Sequence, residues 1–175
     1  MNGLRTIAVL NQKGGVGKTT TAQAISEGLS KFGFAVLMVD ADPQCNLSSQ
    51  YLTQDDAQGK NTYTLLRGGV KAEDAIFQID DNLFILPAVK DLALADSEMM
   101  SNIGYHARLK KKLACVHDKF DFIIIDTPPS LNGVTINALV ASNSIIVPSD
   151  PSEFSIDGLK SLSETIAQVK DELNP

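Results

Sequence analysis

Residues 11–21 read NQKGGVGKTTT and contain the residue types that bind phosphate. Glycines let the backbone pass close to phosphate oxygens without a Cβ clash. Lys18 can reach the β- and γ-phosphates of a nucleotide, and the Thr19 hydroxyl can ligate Mg²⁺. Gln12 departs from the general pattern G-x-x-x-x-G-K-[ST], which has glycine five positions before Gly17. The rest of the pattern fits, and the expected cofactor-binding residues are Gly14, Gly15, Val16, Gly17, Lys18, Thr19 and Thr20.

Three aspartates follow apolar runs and could complete a phosphate site. Asp126 ends the run in FDFIIIDTPPS (120–130), and Asp40 and Asp42 end the run in VDADPQ (39–44). Carboxylates at the carboxyl ends of buried strands lie at the edge of an α/β sheet where ligands bind. Asp126 is then expected to face Mg²⁺ through water. Two acids spaced two residues apart are otherwise typical of a solvated loop, but beside a phosphate loop they become candidates for the site.

Five short apolar runs predict the strands that carry these loops. They are rich in Val, Ile and Phe and mostly continuous rather than alternating, which is typical of parallel strands buried on both faces. The runs cover residues 4–10, 34–39, 83–86, 120–125 and 144–148. The segments between them predict helices over 18–31, 104–117, 133–141 and 155–171, with shorter helical pieces near 46–52, 62–67 and 71–77. This alternation predicts one doubly wound α/β domain over residues 1–175, with a mostly parallel sheet flanked by helices.

The composition limits the function classes. The chain has 175 residues, 15 of them basic and 21 acidic, and its net charge of −6 argues against a broad, charge-driven nucleic-acid surface on this portion. Cys45 and Cys115 have no C-x-x-C partner, which indicates a reducing compartment rather than a disulfide framework. We find no secretory signal and no apolar run near ~18 residues. We therefore expect a cytoplasmic protein without a membrane partner.

The order of several motifs resembles the ParA/MinD family of deviant Walker A ATPases. The matching stretches cover most of the chain: KGGVGKTTT (13–21), VDADPQCNLS (39–48), NLFILPAVKDLALADSE (82–98), FDFIIIDTPPSLNGVTINALVASNSIIVPSD (120–150) and EFSIDGLKSL (153–162). Gln12, directly before Lys13, resembles the ParA/Soj partition branch, whereas MinD and the nitrogenase iron protein usually carry glycine there. The resemblance implies the P-loop NTPase fold, with ATP or ADP and Mg²⁺ as cofactors.

The resemblance also implies a role for each site residue. Lys13 resembles the signature lysine that contacts phosphates bound in the facing subunit of an ATP-sandwiched homodimer, which explains why the loop has two lysines. A cation supplied across an interface stabilises charge developing on the transferred phosphoryl group. Lys18 and Asp42 complete the expected catalytic set, with Asp42 orienting or activating the attacking water. The expected metal-site residues are Thr19, the switch-I acid Asp40 and the Walker B acid Asp126.

The implied function is an ATP-binding, slowly hydrolysing switch that dimerises with ATP in plasmid or chromosome partition. A DNA-bound adaptor of the ParB type is the expected partner that stimulates hydrolysis. Two alternatives stay open: a positioning ATPase for a non-DNA cargo or the division site, and a short nucleotide-binding form without turnover. An iron–sulfur electron donor is disfavoured, because neither cysteine lies where the iron protein's ligands would be expected.

The sequence ends in DELNP, where ParA/Soj relatives continue into further strands and helices. We therefore expect the chain to lack the family's C-terminal elements, the part that in relatives holds adenine and the DNA-binding basic residues. Non-specific DNA binding, and with it association with the nucleoid, is expected only with that C-terminal part.

Overall fold

A six-stranded sheet forms the centre of the protein. The computed structural model describes residues 5–149 and 154–174. The strands are β1 (Arg5–Val9), β2 (Val36–Asp40), β3 (Phe77–Asp80), β4 (Leu83–Leu86), β5 (Phe122–Asp126) and β6 (Ser144–Ile146). Their order across the sheet is β3-β4-β2-β5-β1-β6, and every pairing is parallel except that of β3 with β4. This is the mostly parallel sheet that the apolar runs predicted.

Within the described residues, seven α-helices connect or flank the strands. They are α1 (Lys18–Lys31), α2 (Thr62–Arg67), α3 (Ala72–Ala75), α4 (Ala95–Met99), α5 (Arg108–Leu113), α6 (Gly133–Ala141) and α7 (Phe154–Glu172). Short 3₁₀ segments cover Ser48–Gln50, Lys90–Leu94, Tyr105–Ala107 and Ala114–Lys119. Parallel neighbours need such crossovers, because a tight turn cannot return the chain to the starting edge.

The central strands bury both of their faces, as continuous apolar runs predict. All five residues of β2 are buried, and alternate side chains point to opposite sides. Leu37 and Val39 pack in the core that lies against α5 and α6, whereas Val36 and Met38 pack in the core that lies against α1. The sheet is therefore a layer between helices, and its carboxyl edge is the part left for a binding site.

Most predicted elements are confirmed, several with the same bounds. The helices predicted over 18–31, 62–67 and 133–141 match α1, α2 and α6, and the helix over 155–171 lies within α7. The piece predicted near 46–52 is a 3₁₀ turn at Ser48–Gln50. Three residues of these predictions lie outside the described residues: Leu4, in the strand predicted over 4–10, and Asp150 and Glu153, in motifs that carried the resemblance. The boundaries 1–175 of a single domain stay a prediction.

Two predictions about helices are wrong in part. The helical piece predicted over 71–77 ends at Ala75, and β3 begins at Phe77. The residues of β3 alternate between half-buried and exposed, as in an edge strand covered on one face. Four residues are too few for this alternation to be distinguished from the end of a helix in the sequence. The helix predicted over 104–117 is divided between α5 and 3₁₀ segments on both sides. Helix α4 was not predicted.

Candidate functional site: a phosphate-binding groove

A glycine loop connects β1 to α1 at the carboxyl edge of the sheet. Gly15 and Gly17 have positive φ angles of 75° and 84°, a backbone conformation that strongly favours glycine. Gly17 is also the N-cap of α1, and no side chain caps that helix. A Cβ on Gly14 would meet no atom within 4 Å, so the fold itself does not require glycine there. Open space at this position leaves room for a ligand against the loop backbone.

A surface groove runs along this loop and collects most of the predicted residues. Its lining residues are Gly14, Gly15, Gly17, Lys18, Thr19, Thr20, Asp42, Gln44, Asn46 and Pro129. Glycine backbone and the start of a helix provide N–H groups suited to an anion. Of the predicted loop residues, Lys13 and Val16 are not among the lining residues; Lys13 is exposed and Val16 is half-buried. The structure therefore brings the loop of β1 together with the loop that follows β2.

The Lys18 side chain is folded back over the glycine loop. Its Nζ donates a hydrogen bond to the Lys13 carbonyl at 3.2 Å, and the residue is only 7% exposed. Burial lowers the pKa of Lys18, while the charges of Asp126 and Asp42 act in the opposite direction. The ammonium group is thus hydrogen-bonded to the loop backbone and is near enough to Asp126 and Asp42 for their charges to affect its pKa.

Asn11 fixes the start of the loop, a role that the sequence patterns did not indicate. Its Oδ1 accepts a hydrogen bond from the Lys13 amide at 3.0 Å, and its Nδ2 donates one to the Pro148 carbonyl at 2.7 Å. The side chain is buried. Asn11 therefore connects the backbone at Lys13 to the segment that follows β6. Only its position directly after a buried strand could have suggested a structural role.

Asp126, the last residue of β5, is a buried carboxylate without a hydrogen-bond partner. The residue is 0% exposed, and neither of its oxygens has a partner among residues 5–149 and 154–174. Burial raises the pKa of Asp126 to about 7, and the charges of Asp40 and Asp42 act in the same direction. The Thr19 hydroxyl, which is near the carboxylate but makes no hydrogen bond of normal geometry with it, and the Lys18 ammonium lower this pKa in part. An unsatisfied buried carboxylate calls for an explanation, and a cation is one. The predicted position of a magnesium-facing acid fits this environment.

Asp40 and Asp42 occupy different environments although they are two residues apart. Asp42 lines the groove, and its Oδ1 accepts a hydrogen bond from the Gln44 amide at 2.9 Å. Asp40 is fully buried, and both of its oxygens accept hydrogen bonds from the following loop. Burial raises the pKa of Asp40 to about 6, and the hydrogen bonds from Ser48 oppose this effect. Of the two acids, Asp42 is the one that faces the groove.

Residues far apart in sequence hold the strand ends together beneath the groove. The Thr127 hydroxyl donates to the Val9 carbonyl at 2.8 Å, and the Ala41 amide donates to the Asp126 carbonyl at 2.9 Å. Asp40 and Asp126 are direct neighbours in the pairing of β2 with β5. The two acids therefore end adjacent strands, as expected for parallel strands that share one edge.

The structure also bears on metal clusters, cysteines and membrane-spanning helices. Among the residues that the structure describes, no group of three or more His, Cys, Asp or Glu side chains is arranged to hold a metal ion. Cys45 is buried and Cys115 is exposed, and both are free thiols. Within the described ranges no helix has the length and apolar character needed to cross a membrane.

A glycine loop between a parallel strand and a helix, with a buried acid ending an adjacent strand, defines the class of P-loop nucleotide-binding proteins. Comparison with known proteins narrows this class. A family profile described as an AAA domain (AAA_31) matches residues 4–175. The chain belongs to this family, and within it to the ParA/MinD group of ATPases, with relatives in the ParA/Soj branch. The resemblance based on the sequence motifs is therefore confirmed.

Individual relatives are similar over nearly the whole chain. The sporulation initiation inhibitor protein Soj of Bacillus subtilis is 40% identical over 169 residues, which are 96% of this chain and 67% of Soj. The crystal structure of cobyrinic acid a,c-diamide synthase from Mycobacterium smegmatis, with an ATP analogue and magnesium bound, is 37% identical with a TM-score of 0.93. The structural match covers 98% of this chain and 70% of the synthase chain. A putative plasmid partition protein from Borrelia burgdorferi bound to AMPPNP is 28% identical, with a TM-score of 0.86 and coverage of 95% of this chain and 69% of that one. The chain thus spans about two thirds of the length of these relatives.

Proposed function

We propose that this chain binds ATP and ADP together with Mg²⁺, hydrolyses ATP slowly, and dimerises in the ATP state as a switch in plasmid or chromosome partition. The observation that carries the proposal is the groove lined by the glycine loop, Lys18 and Asp42. Asp126 is buried near Lys18, outside the lining, and has no hydrogen-bond partner among the described residues. Relatives with nucleotide or magnesium bound, and relatives named for partition, support the same assignment.

The residues of the groove fit a magnesium nucleotide. Thr19 would supply a hydroxyl ligand to the ion, and the nucleotide phosphates would supply further hard oxygen ligands. Asp126 would face the ion, which supplies charge neutralisation at the phosphates when it is bound. A positive charge near Asp126 would also compensate the buried carboxylate, which has no hydrogen-bond partner in the described part of the chain.

Lys18 and Asp42 would perform different parts of the hydrolysis. Lys18, now bonded to the Lys13 carbonyl, would turn its ammonium group to the β- and γ-phosphates. Asp42 would accept a hydrogen bond from the attacking water and hold it in line with the phosphorus. Phosphoryl transfer depends on positioning and electrostatic stabilisation, so these few groups suit slow hydrolysis that limits the lifetime of the ATP state.

Lys13 would connect nucleotide binding to dimer formation. Lys13 is an exposed residue near the start of the glycine loop, and its backbone amide donates a hydrogen bond to the Asn11 side chain. We propose that its ammonium group contacts phosphates in a second copy of the chain. The phosphates would then be part of the interface, and the affinity for ATP would depend on association of the two subunits.

The test is equilibrium binding of ATP and ADP with Mg²⁺, with the solution mass measured by light scattering. The wild type should become a dimer with ATP but not with ADP. Lys13→Ala should bind ATP and stay monomeric, and Lys18→Ala should lose nucleotide binding. Lys31→Ala is the matched control, because Lys31 is an exposed lysine at the opposite end of α1. Absence of ATP binding by the wild type, or dimerisation of Lys13→Ala, would contradict the proposal.

The partition role requires further partners. We propose a DNA-bound adaptor of the ParB type and, with the C-terminal part found in relatives, non-specific DNA. ATP-dependent, salt-sensitive retention on DNA by a protein extended to the length of its relatives would support this role. Lack of retention would favour a positioning ATPase for a non-DNA cargo, and binding without turnover would favour a nucleotide-binding form without ATPase activity.

A further inference from the structure

A buried hydrogen-bond cluster lies behind the groove, on the loop of residues 41–47 that follows β2. The Asp40 Oδ1 accepts a bond from the Asp42 amide at 3.0 Å. The Asp40 Oδ2 accepts two bonds from Ser48, one from the amide at 2.8 Å and one from the hydroxyl at 2.6 Å. Asp40 therefore contacts both ends of the loop. One donor is on Asp42 within the loop, and the other two are on Ser48, the first residue of the 3₁₀ segment that follows the loop.

The cluster is attached to a second strand. The Ser48 hydroxyl accepts a hydrogen bond from the Ala88 amide at 2.8 Å, just beyond β4. The Thr62 hydroxyl, at the start of α2, donates to the Asp40 carbonyl at 2.8 Å. Asp40, Ser48 and Thr62 are at most 2% exposed. The loop is thus held by buried bonds to the ends of two adjacent strands, and buried charge-assisted bonds are stronger than exposed neutral ones.

We propose that Asp40 and Ser48 are positioning residues that hold the Asp42 carboxylate at the groove, and that Asp40 does not act on the metal. This inference rests on the proposed ATPase function. Asp126 and Asp40 end adjacent strands, but only Asp126 has oxygens without partners among the described residues. The Asp40 oxygens are occupied by the loop, and one of these bonds goes to the amide of Asp42 itself.

The conformation of Cys45 shows why the loop needs such an attachment. Cys45 has a φ of 57°, the one non-glycine residue with positive φ in the described ranges. Side chains rarely adopt this conformation, so the surrounding structure must maintain it. The Cys45 amide donates to the Asp42 carbonyl at 2.9 Å, which ties the turn directly to the proposed catalytic residue. A loop released from Ser48 would relax at Cys45 and move Asp42.

The kinetic test compares Ser48→Ala with two serine controls. Ser26→Ala removes a buried hydroxyl that bonds within α1, and Ser49→Ala removes an exposed hydroxyl from the same 3₁₀ turn. Ser48→Ala should lower kcat for ATP by about 10- to 100-fold, because small misplacements of a catalytic group have effects of this size. Its Kd for Mg–ATP and its binding stoichiometry should match the wild type. Both controls should keep the wild-type kcat.

The magnesium dependence separates positioning from a metal role. Asp40→Asn should lower kcat while the Mg²⁺ concentration for half-maximal rate stays as in the wild type. An Asp40 that acts on the metal would raise that concentration instead. A higher Mg²⁺ requirement for Asp40→Asn, or an unchanged kcat for Ser48→Ala, would overturn the inference.

Cys45 provides a measurement that does not depend on turnover. It is 3% exposed, so alkylation by iodoacetamide requires the loop to open. In a Cys115→Ser background, adding Ser48→Ala should raise the rate of Cys45 alkylation at least about tenfold, because two buried hydrogen bonds are lost. Adding Ser26→Ala or Ser49→Ala should leave this alkylation rate unchanged. An unchanged alkylation rate in Ser48→Ala would show that Ser48 does not hold the loop. A faster alkylation rate in a protein without ATP turnover would show that Ser48 holds the loop and would reject the proposed function.

Discussion

Burial makes ionisation of the Asp126 carboxylate unfavourable in the protein without nucleotide. Replacement of Asp126 by asparagine should therefore raise the free energy of unfolding at neutral and higher pH. Burial raises the pKa of Asp126 from 3.8 to about 7. Between these two pH values the folded state binds more protons than the unfolded state, so the free energy of unfolding falls as the pH rises. The loss is complete above about pH 7. Without Mg²⁺ or nucleotide, Asp126 therefore lowers the free energy of unfolding at neutral and higher pH.

The magnitude follows from the difference in pKa. A difference of about three, at about 1.4 kcal/mol for each pKa unit, gives a destabilisation of about 4 kcal/mol above pH 7. An asparagine at this position would have no charge, but its amide would be a buried group without partners, at a cost of about 1–3 kcal/mol. Asp126→Asn should therefore raise the free energy of unfolding by about 1–3 kcal/mol at pH 8.

The assay is urea unfolding in EDTA, without nucleotide, at several pH values between about 5 and 8. The wild type should lose stability across this range, and Asp126→Asn should lose less. A smaller decrease should persist in the variant up to about pH 6, because burial also raises the pKa of Asp40 to about 6. Asp55→Asn, which changes an exposed carboxylate, should follow the wild type.

With Mg²⁺ and nucleotide present, the wild type should become more stable than Asp126→Asn. A ligand that binds only the folded state raises Tm, and the wild type should gain more than Asp126→Asn because only the wild type keeps the carboxylate. An asparagine variant that is less stable than the wild type at pH 8 in EDTA, or one that keeps the full wild-type pH dependence, would refute the reasoning.

Three further predictions concern glycines and thiols. Gly14→Val should leave urea unfolding unchanged but weaken Mg–ATP binding in calorimetry, since the side chain would enter open space in the groove. Gly133→Ala should lower the free energy of unfolding by about 1–3 kcal/mol, because its Cβ would lie 2.6 Å from Asp96 Oδ1 and from a Tyr105 ring atom; equal stability would contradict this. Cys115 should react with a thiol reagent much faster than Cys45 in the folded protein, as followed by mass spectrometry, because Cys45 is buried and burial raises the pKa of its thiol. Equal rates would contradict the described burial.

Much of the fold was predictable because its signals are local. Helix α1 begins directly after Gly17 and ends just before Gly33, and both glycines have positive φ angles. The buried strands appear as continuous Val- and Ile-rich runs, since both faces of a central strand are covered. The elements that were missed, β3 and α4, are short, and their conformations depend on the elements they contact.

The sequence by itself determined the phosphate loop, the class of fold and the family, because each depends on residue types at fixed spacing. Only the tertiary structure distinguished Asp40 from Asp126. Each ends a buried strand and is followed by a loop, so local sequence treats them alike. Asp40 receives hydrogen bonds from Ser48, eight residues further along the chain, whereas Asp126 receives none from the described residues. Which donors reach a buried carboxylate depends on how distant loops pack around it, and that is why the two acids differ.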